Sequence, residues 1–233
     1  MKIQLTADRN HFYNKKPKDF EIGKINNRLC AVNVKKTDLH SLAEMIGDKG
    51  MTWCPGVFNG KRKNDNFISA QIIGLDFDEG VGFDEILSRS EKYMLPILFA
   101  YETFSSINKS KFRVVLLLSE IIADKEMYNT VIRQLMIIFP ECDKSCKDAS
   151  RMFFGGKNLF YYNQDQPTLD TKTLSMNFEK YMSDRYGERH YREAISRMEK
   201  NGGKLSHSII LGNECDNFPP HQKNDIDKIL YLN

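Results

Sequence analysis

The sequence predicts an α+β fold, and three observations indicate it. From residue 67 onward, apolar runs of strand length alternate with segments whose apolar residues recur at helical spacing. The polar loop 104–111 is too short for a parallel crossover, so it indicates an antiparallel hairpin. A composition of 41% hydrophobic and 28% charged residues is that of an ordinary globular protein.

Residues 1–66 are predicted to form an αβ unit that precedes this core. A strand is expected over 29–34 and a helix over 37–50. The helix carries one apolar stripe, formed by Leu39, Leu42, Ala43 and Ile46. Residues 55–65 are predicted to be a loop, and the basic triplet 61–63 within it is either a solvated surface or a nucleic-acid contact.

The core itself is predicted to have the order β-α-β-β-α-β. Its elements are a strand over 67–78, a helix over 82–95, strands over 97–103 and 112–118, a helix over 124–139 capped by Asp124, and a strand over 150–154 followed by a hairpin into "LFYYN". This is the split βαβ, or RRM-like, unit. Its first and third strands should lie together in the middle, with the fourth beside the first.

A C-terminal helical extension is expected after the core. The charged segment 178–203 is predicted to be one helix that ends at two glycines. We therefore divide the chain into a domain over 1–175, with its αβ unit over 1–66 and its core over 67–175, and a helical extension or linker over 176–233. The final residues, "DIDKILYLN", resemble the opening of a further, truncated helix.

Composition also restricts the compartment and the partners. No run of 18 apolar residues is present, which predicts no membrane span, and the N-terminal segment lacks the apolar region of a secretory signal. Five scattered cysteines suggest reduced thiols in a cytoplasmic protein. A net charge of +3 is too small to prove a polyanionic partner. A zinc site of Cys142, Cys146, His207, Cys215 and His221 is a minor alternative.

The segment "GLDFDEG" contains the feature that bears most directly on function. Asp76 and Asp78 are two residues apart at the end of a predicted strand, so both should point to the same face. Two carboxylates this close repel each other unless a metal ion, an arginine or water compensates them.

The predicted topology brings other charged residues to these two aspartates. The end of the first strand meets the beginnings of the third and fourth strands. The residues expected to gather there are Asp76, Asp78, Lys111, Arg113, Asp143, Asp148 and Arg151. Carboxylates of this kind suit two Mg²⁺ or Mn²⁺ ions, and arginine suits the phosphates of a nucleotide.

Three ordered segments resemble the archaeo-eukaryotic primase, or primase-polymerase, superfamily of plasmids, phages and mobile elements. They are "GLDFDEG", "YETFSSINKSKFRVVLLL" and "CDKSCKDASRMFFGG". The resemblance covers about residues 50–160. It implies an RRM-like DNA primase and polymerase that makes or extends primers on a DNA template from NTPs or dNTPs, with a helicase or other module after the core.

The resemblance also implies residue roles. Asp76 and Asp78 match the first motif and would bridge two metal ions. Asp143, with Asp148 as second choice, matches the third acid, which would ligate the catalytic metal ion and help to activate the primer 3′-hydroxyl. Arg113 would hold the triphosphate, assisted by Lys111 and Arg151. The family's second motif contains a histidine that contacts the nucleotide and that this chain lacks. Ser106 and Asn108 occupy that region and would contact the nucleotide instead.

Two other functions are compatible with parts of the pattern. The segment "IIGLDFDEGV" also resembles haloacid-dehalogenase-like phosphatases, although the Gly-Thr expected after their second aspartate is missing and the hairpin at 104–111 conflicts with their parallel sheet. The third possibility is a catalytically inactive RRM-like module that binds nucleic acid through its basic loops and aromatic residues.

Overall fold

The computed structural model describes residues 2–78 and 80–200, which form two antiparallel sheets with helices packed on them. The N-terminal unit contains a three-stranded sheet of order β2-β1-β3. Its elements are β1 (Lys2–Phe12), α1 (Asp19–Arg28), β2 (Cys30–Lys35), α2 (Leu39–Gly47) and β3 (Met51–Cys54). The strand predicted over 29–34 and the helix predicted over 37–50 are confirmed, whereas β1, α1 and β3 were not predicted. The segment 55–65, predicted to be a loop, contains a short strand over Gly56–Phe58.

The second sheet has five strands in the order β4-β5-β7-β6-β8, and every neighbouring pair is antiparallel. Its elements and the helices between them are β4 (Gly56–Phe58), β5 (Phe67–Phe77), α3 (Phe83–Lys92), β6 (Phe99–Thr103), β7 (Phe112–Ile122), α4 (Lys125–Ile138) and β8 (Gly156–Tyr162). The predicted mixed α+β class, the hairpin between β6 and β7, and the central pairing of β5 with β7 are confirmed.

The predicted place of the fourth core strand is wrong. β8 lies beside β6, because the outer edge of β5, where an RRM-like order would put it, is already paired with β4. Residues 150–154 do not form a strand; only Phe153 bridges to Trp53 of β3. The strand starts at Gly156, where an added Cβ would lie 2.3 Å from the Glu102 carbonyl oxygen, so this glycine permits close pairing and does not form a hairpin turn.

A continuous apolar core joins the two sheets. Trp53 is fully buried, stacks on Phe153 with ring centroids 5.0 Å apart, and donates from Nε1 to the Tyr101 hydroxyl at 3.0 Å. Helix α4 covers β5, and the Tyr128 hydroxyl donates to the Ile72 carbonyl at 2.8 Å. Each such large side chain contributes about 1.5–3 kcal/mol through burial of apolar area. The core therefore holds the end of β5 rigidly.

The helix caps and the C-terminal helices complete the described structure. Asp124 caps α4 as predicted and accepts from the Met127 amide at 2.8 Å. The single helix predicted over 178–203 is instead two helices, α5 (Thr171–Tyr186) and α6 (Glu188–Lys200), because the chain turns at Gly187, whose φ is +85°. The domain division at 175 stays a prediction.

The segment "DIDKILYLN" and the end of the predicted C-terminal helix lie outside the described residues. None of the helices in the described ranges combines the length and apolar character needed to cross a bilayer.

Candidate active site

An open pocket of about 560 Å³ lies where β5 ends and β7 begins. The β1–α1 loop, α1, the loop after β4, the 103–105 segment and residues 145–155 supply the rest of its wall. Among the predicted site residues, Asp76, Asp78, Arg113 and Arg151 line this pocket, together with Asp148. Residues from three separate sequence motifs are thus brought to one cavity.

Asp76 and Arg113 form a buried ion pair at the base of the pocket. The β5–β7 register places them directly opposite each other. Arg113 Nε donates to Asp76 Oδ1 at 2.9 Å, and Nη2 donates to Oδ2 at 3.0 Å. Asp76 is 3% exposed and Arg113 is 9% exposed. A planar guanidinium matched to both carboxylate oxygens fixes the orientation of each side chain.

The remaining surroundings of Arg113 also restrain its side chain. Nη1 donates to the Phe154 carbonyl, and the guanidinium carbon lies 5.3 Å from the Phe153 ring centroid and 5.9 Å from that of Tyr101. Burial by itself would lower the pKa of Arg113, but an ionised Tyr101 and Asp76 would raise it, and the pKa is raised overall. Because burial raises the pKa of Tyr101, that phenol stays neutral near pH 7, and Asp76 is the anion that stabilises the guanidinium.

Asp78 and Asp148 supply the other two carboxylates of the pocket wall. Asp78 follows β5 directly and is exposed. Asp148 Oδ1 accepts from the Ser150 amide at 2.8 Å and from the Ser150 hydroxyl at 2.7 Å, which holds its side chain in a tight turn. Two carboxylates therefore remain in the pocket without a paired arginine at hydrogen-bond distance among the described residues.

Asp143, the first choice for the third acid, has a different environment. Its amide donates to the Asp76 carbonyl at 2.7 Å, so the main chain does lie beside β5 as expected. Its carboxylate accepts from the Ser145 amide at 2.9 Å and hydroxyl at 2.6 Å, and from Arg151 Nη2 at 3.3 Å. Burial would raise its pKa, but the bonds from Ser145 and the charge of Arg151 outweigh burial and lower it. Asp143 is not among the residues that line the pocket.

Ser106 and Asn108, which stand in the region of the family's second motif, are also not among the residues that line the pocket. Ser106 is buried, donates from Oγ to Glu102 Oε1 at 3.0 Å and accepts from the Lys111 amide at 3.1 Å. Asn108 has a φ of 51° and forms part of the tight hairpin turn. The pocket is lined instead by the preceding residues 103–105.

Glu102 is the residue that organises this hairpin. Besides Ser106, it accepts from the Lys109 amide at 2.5 Å and from Asn158 Nδ2 at 3.0 Å. Burial would raise the pKa of Glu102, but these hydrogen bonds lower it overall, and the bond from Asn158 has the largest lowering effect. Ser106 is therefore engaged in holding the loop.

Three pocket residues were missed by the sequence-based prediction because they come from the N-terminal unit. They are Lys16, Ile22 and Arg62. Arg62 belongs to the basic triplet 61–63, so a signal existed for it; it donates from Nη2 to Asn26 Oδ1 at 2.8 Å and from Nη1 to the Ser150 carbonyl. The N-terminal unit thus forms one wall of the pocket.

The donor chemistry of the pocket suits a hard divalent cation. A carboxylate has about four lone-pair sites, so Asp76 can accept from Arg113 and still bind a cation. Within residues 2–78 and 80–200, however, no three His, Cys, Asp or Glu side chains are grouped closely enough to hold a metal ion. Mg²⁺ is commonly held by one or two carboxylates together with substrate phosphates. Asp76 and Asp78 therefore fit such a cation in combination with a phosphate-bearing substrate.

The alternative zinc site gains no support from the described part of the chain. Cys142 and Cys146 are both buried, and the pKa of Cys142 is raised by its hydrogen bond with Cys146 and by burial. Among the described residues, no third His, Cys, Asp or Glu joins these two thiols in a group that could hold a metal ion. The other three proposed ligands lie outside the described residues.

Comparison with solved structures gives a distant similarity. No family model matches the chain, and no curated protein matches it. A solved structure of the AEP domain of the cyanophage S-2L primase-polymerase is similar, with a TM-score of 0.44 and 10% sequence identity over 76% of this chain and 88% of that chain. A similarity at this level carries no argument about function, so the functional interpretation depends on the residues of the pocket.

Proposed function

We propose that this protein is a nucleotidyltransferase of the primase-polymerase type, which makes or extends primers on a DNA template from NTPs or dNTPs during replication of a mobile element or related DNA maintenance. The observation that supports the proposal is the pocket itself, which combines Asp76 and Asp78 at the end of β5 with Arg113 of β7 and Arg151 of the segment before β8. These residues belong to the motifs that resemble the superfamily.

The charges of the pocket favour a triphosphate. The charges of Asp76 and Arg113 compensate each other. The other charged residues of the pocket are two acids, Asp78 and Asp148, and a set of cations. That set is Lys16, Arg62 and Arg151, of which Arg151 also pairs with Asp143 at 3.3 Å. The Nε atoms of both Arg62 and Arg151 are buried without a hydrogen-bond partner in the described structure, so each guanidinium would act on a phosphate through its charge and not through this donor.

In the proposed reaction, a primer 3′-hydroxyl gives its proton to the third acid and its oxygen bonds to the α-phosphorus of the incoming nucleotide. The bond from that phosphorus to the bridging oxygen breaks, and pyrophosphate leaves. Mg²⁺ or Mn²⁺ held by Asp76 and Asp78 would supply Lewis-acid stabilisation of the phosphate charge, with a second ion expected at the third acid. For the third acid we now favour Asp148, because it lines the pocket whereas the Asp143 carboxylate binds Ser145 and Arg151.

The roles of the arginines follow from their contacts. Arg113 acts through Asp76, since its two N–H bonds fix the carboxylate that would face the cation. Arg151, with Lys16 and Arg62, would neutralise the β- and γ-phosphates. Fixed charges aimed at a developing phosphate charge are the main source of catalysis in reactions of this class.

The test is nucleotide incorporation on a single-stranded template with Mg²⁺ or Mn²⁺, with and without primer. Asp78→Asn removes one pocket charge and, since Asp78 is exposed, should leave the fold intact. We expect it to abolish incorporation. Asp165→Asn, an exposed aspartate outside the pocket, is the matched control and should incorporate at the wild-type rate. Equal rates in Asp78→Asn and the wild type would contradict the proposal.

A catalytically inactive nucleic-acid-binding module is the second candidate, and one observation favours it. The described residues contain no group of three metal-binding side chains, and the Arg113 guanidinium already makes three hydrogen bonds. Such a module would bind nucleic acid without any dependence on a divalent cation. The phosphatase alternative is disfavoured, because its fold needs a parallel sheet and all pairs in the five-stranded sheet are antiparallel.

A further inference from the structure

A second concave surface adjoins the pocket, and we name it the lysine groove. It is a groove of about 340 Å³ formed mainly by the loop between β1 and α1 and the turn after α2. Its lining consists of Phe12, Tyr13, Asn14, Lys15, Lys16, Pro17, Glu21, Asp48 and Lys49. Lys16 also lines the pocket, so the two concavities meet at this residue.

The charge available in the lysine groove is positive. Lys15, Lys16 and Lys49 are exposed, and within the described ranges no ion pair joins them to an acid. The two acids of the groove are engaged with backbone amides: Glu21 Oε2 accepts from the Lys18 amide at 2.7 Å, and Asp48 Oδ1 accepts from the Leu159 amide at 2.6 Å. Both carboxylates keep their charge, so the three lysines leave the groove with a formal net charge of +1, which favours a polyanion.

An exposed aromatic ring lies among these lysines. Phe12, at the end of β1, is 47% exposed. The neighbouring Tyr13 is held in place, since its hydroxyl accepts from Arg28 Nη2 at 2.9 Å and its amide donates to the Gly50 carbonyl at 3.3 Å. Gly50 has a φ of +79°, and an added Cβ would lie 1.8 Å from the Tyr13 carbonyl oxygen, so only glycine allows the two walls to approach this closely. The groove is thus a built feature of the fold.

We propose that the lysine groove binds a single-stranded nucleic acid and directs it into the pocket, an inference that rests on the proposed function. Lysines along a groove with an accessible aromatic ring are the combination that binds single strands, through phosphate contacts and base stacking. A duplex fits this surface less well, because its bases are already stacked on each other and offer no free face to Phe12. The partner is therefore the unpaired template strand beside the nucleotide site.

The test is fluorescence anisotropy of a labelled single-stranded oligonucleotide, measured over a range of salt concentrations. Phe12→Ala should weaken binding about 5- to 150-fold and leave the salt dependence unchanged. Lys15→Ala and Lys49→Ala should each reduce the slope of log affinity against log salt by about 0.7, the value for one lost phosphate contact on a single strand. Met176→Ala and Lys180→Ala, which change exposed residues of α5 outside both concavities, are the matched controls.

Several outcomes distinguish this inference from the proposed function. If the groove variants bind as tightly as the controls, or if a duplex of the same sequence binds wild-type protein as tightly as the single strand, the inference is wrong. If groove variants bind weakly and Asp78→Asn still binds normally, the groove is supported whether or not nucleotides are incorporated. Wild-type binding without any incorporation would contradict the proposed function alone.

Discussion

The buried pair of Asp76 and Arg113 gives the sharpest prediction about stability. Removing one partner leaves the other charge buried, since Asp76 is 3% exposed and Arg113 is 9% exposed. Unit charges about 4 Å apart at an effective dielectric constant near 20 attract each other by about 4 kcal/mol. Breaking such a pair typically costs about 3–5 kcal/mol. We therefore expect Asp76→Asn and Arg113→Met each to lower the free energy of unfolding by roughly that amount.

The double variant Asp76→Asn/Arg113→Met separates the charge effect from general damage. Because it removes both charges together, it should be less destabilised than the sum of the single variants by about 2–3 kcal/mol. The measurement is urea unfolding followed by circular dichroism. Glu188→Gln, which breaks the exposed pair with Arg192, is the control and should cost under about 1 kcal/mol. Effects of the single variants that add to within about 0.5 kcal/mol would refute the reasoning.

Three further predictions concern the surroundings of the pocket. Tyr101→Phe removes the acceptor that lies 3.0 Å from the buried Trp53 Nε1–H, so it should lower the free energy of unfolding by about 1–3 kcal/mol. Urea unfolding measures this loss, and a loss smaller than that of an exposed tyrosine-to-phenylalanine control would count against the prediction. Because the folded pKa of Glu102 lies below its ordinary value of 4.5, ionised Glu102 stabilises the protein above that pH, and this contribution is lost as the pH falls through the folded pKa. Glu102→Gln should therefore flatten the acid limb of a stability–pH curve, and an unchanged limb would contradict this. Gly50→Ala should displace the Tyr13 segment and weaken single-strand binding at unchanged secondary structure, which anisotropy and circular dichroism test together.

The convergence of charges was largely predictable from the sequence, for a physical reason. The period of apolar residues in a strand and the length of a loop can be read locally, and they were enough to predict the antiparallel pairing of β5 with β7. That pairing places Asp76 opposite Arg113, although the two residues are 37 positions apart. The sequence suggested an arginine near the aspartates, but the two parallel hydrogen bonds from Arg113 to Asp76 depend on the register of β5 against β7.

Other features depend on tertiary contacts that no local pattern reports. The bounds of the edge strand β8 were predicted wrongly because two glycines resembled a turn, whereas Gly156 allows close backbone packing against Glu102. Ser106 was singled out because it stands in the region of the second motif, but its hydroxyl donates to Glu102, a contact that only the folded hairpin creates. Strand β1 was missed although Ile3, Leu5 and Ala7 alternate with polar residues, which is the pattern that predicts a half-buried strand.

The central claim is that Asp76 and Asp78 create a cation-dependent nucleotide site. Calorimetric titration of a nucleoside triphosphate into the protein, with and without Mn²⁺, tests this claim most directly. We expect binding that requires Mn²⁺, is lost in Asp78→Asn and is retained in Asp165→Asn. Triphosphate binding that is equally tight without Mn²⁺, or unchanged in Asp78→Asn, would contradict the account.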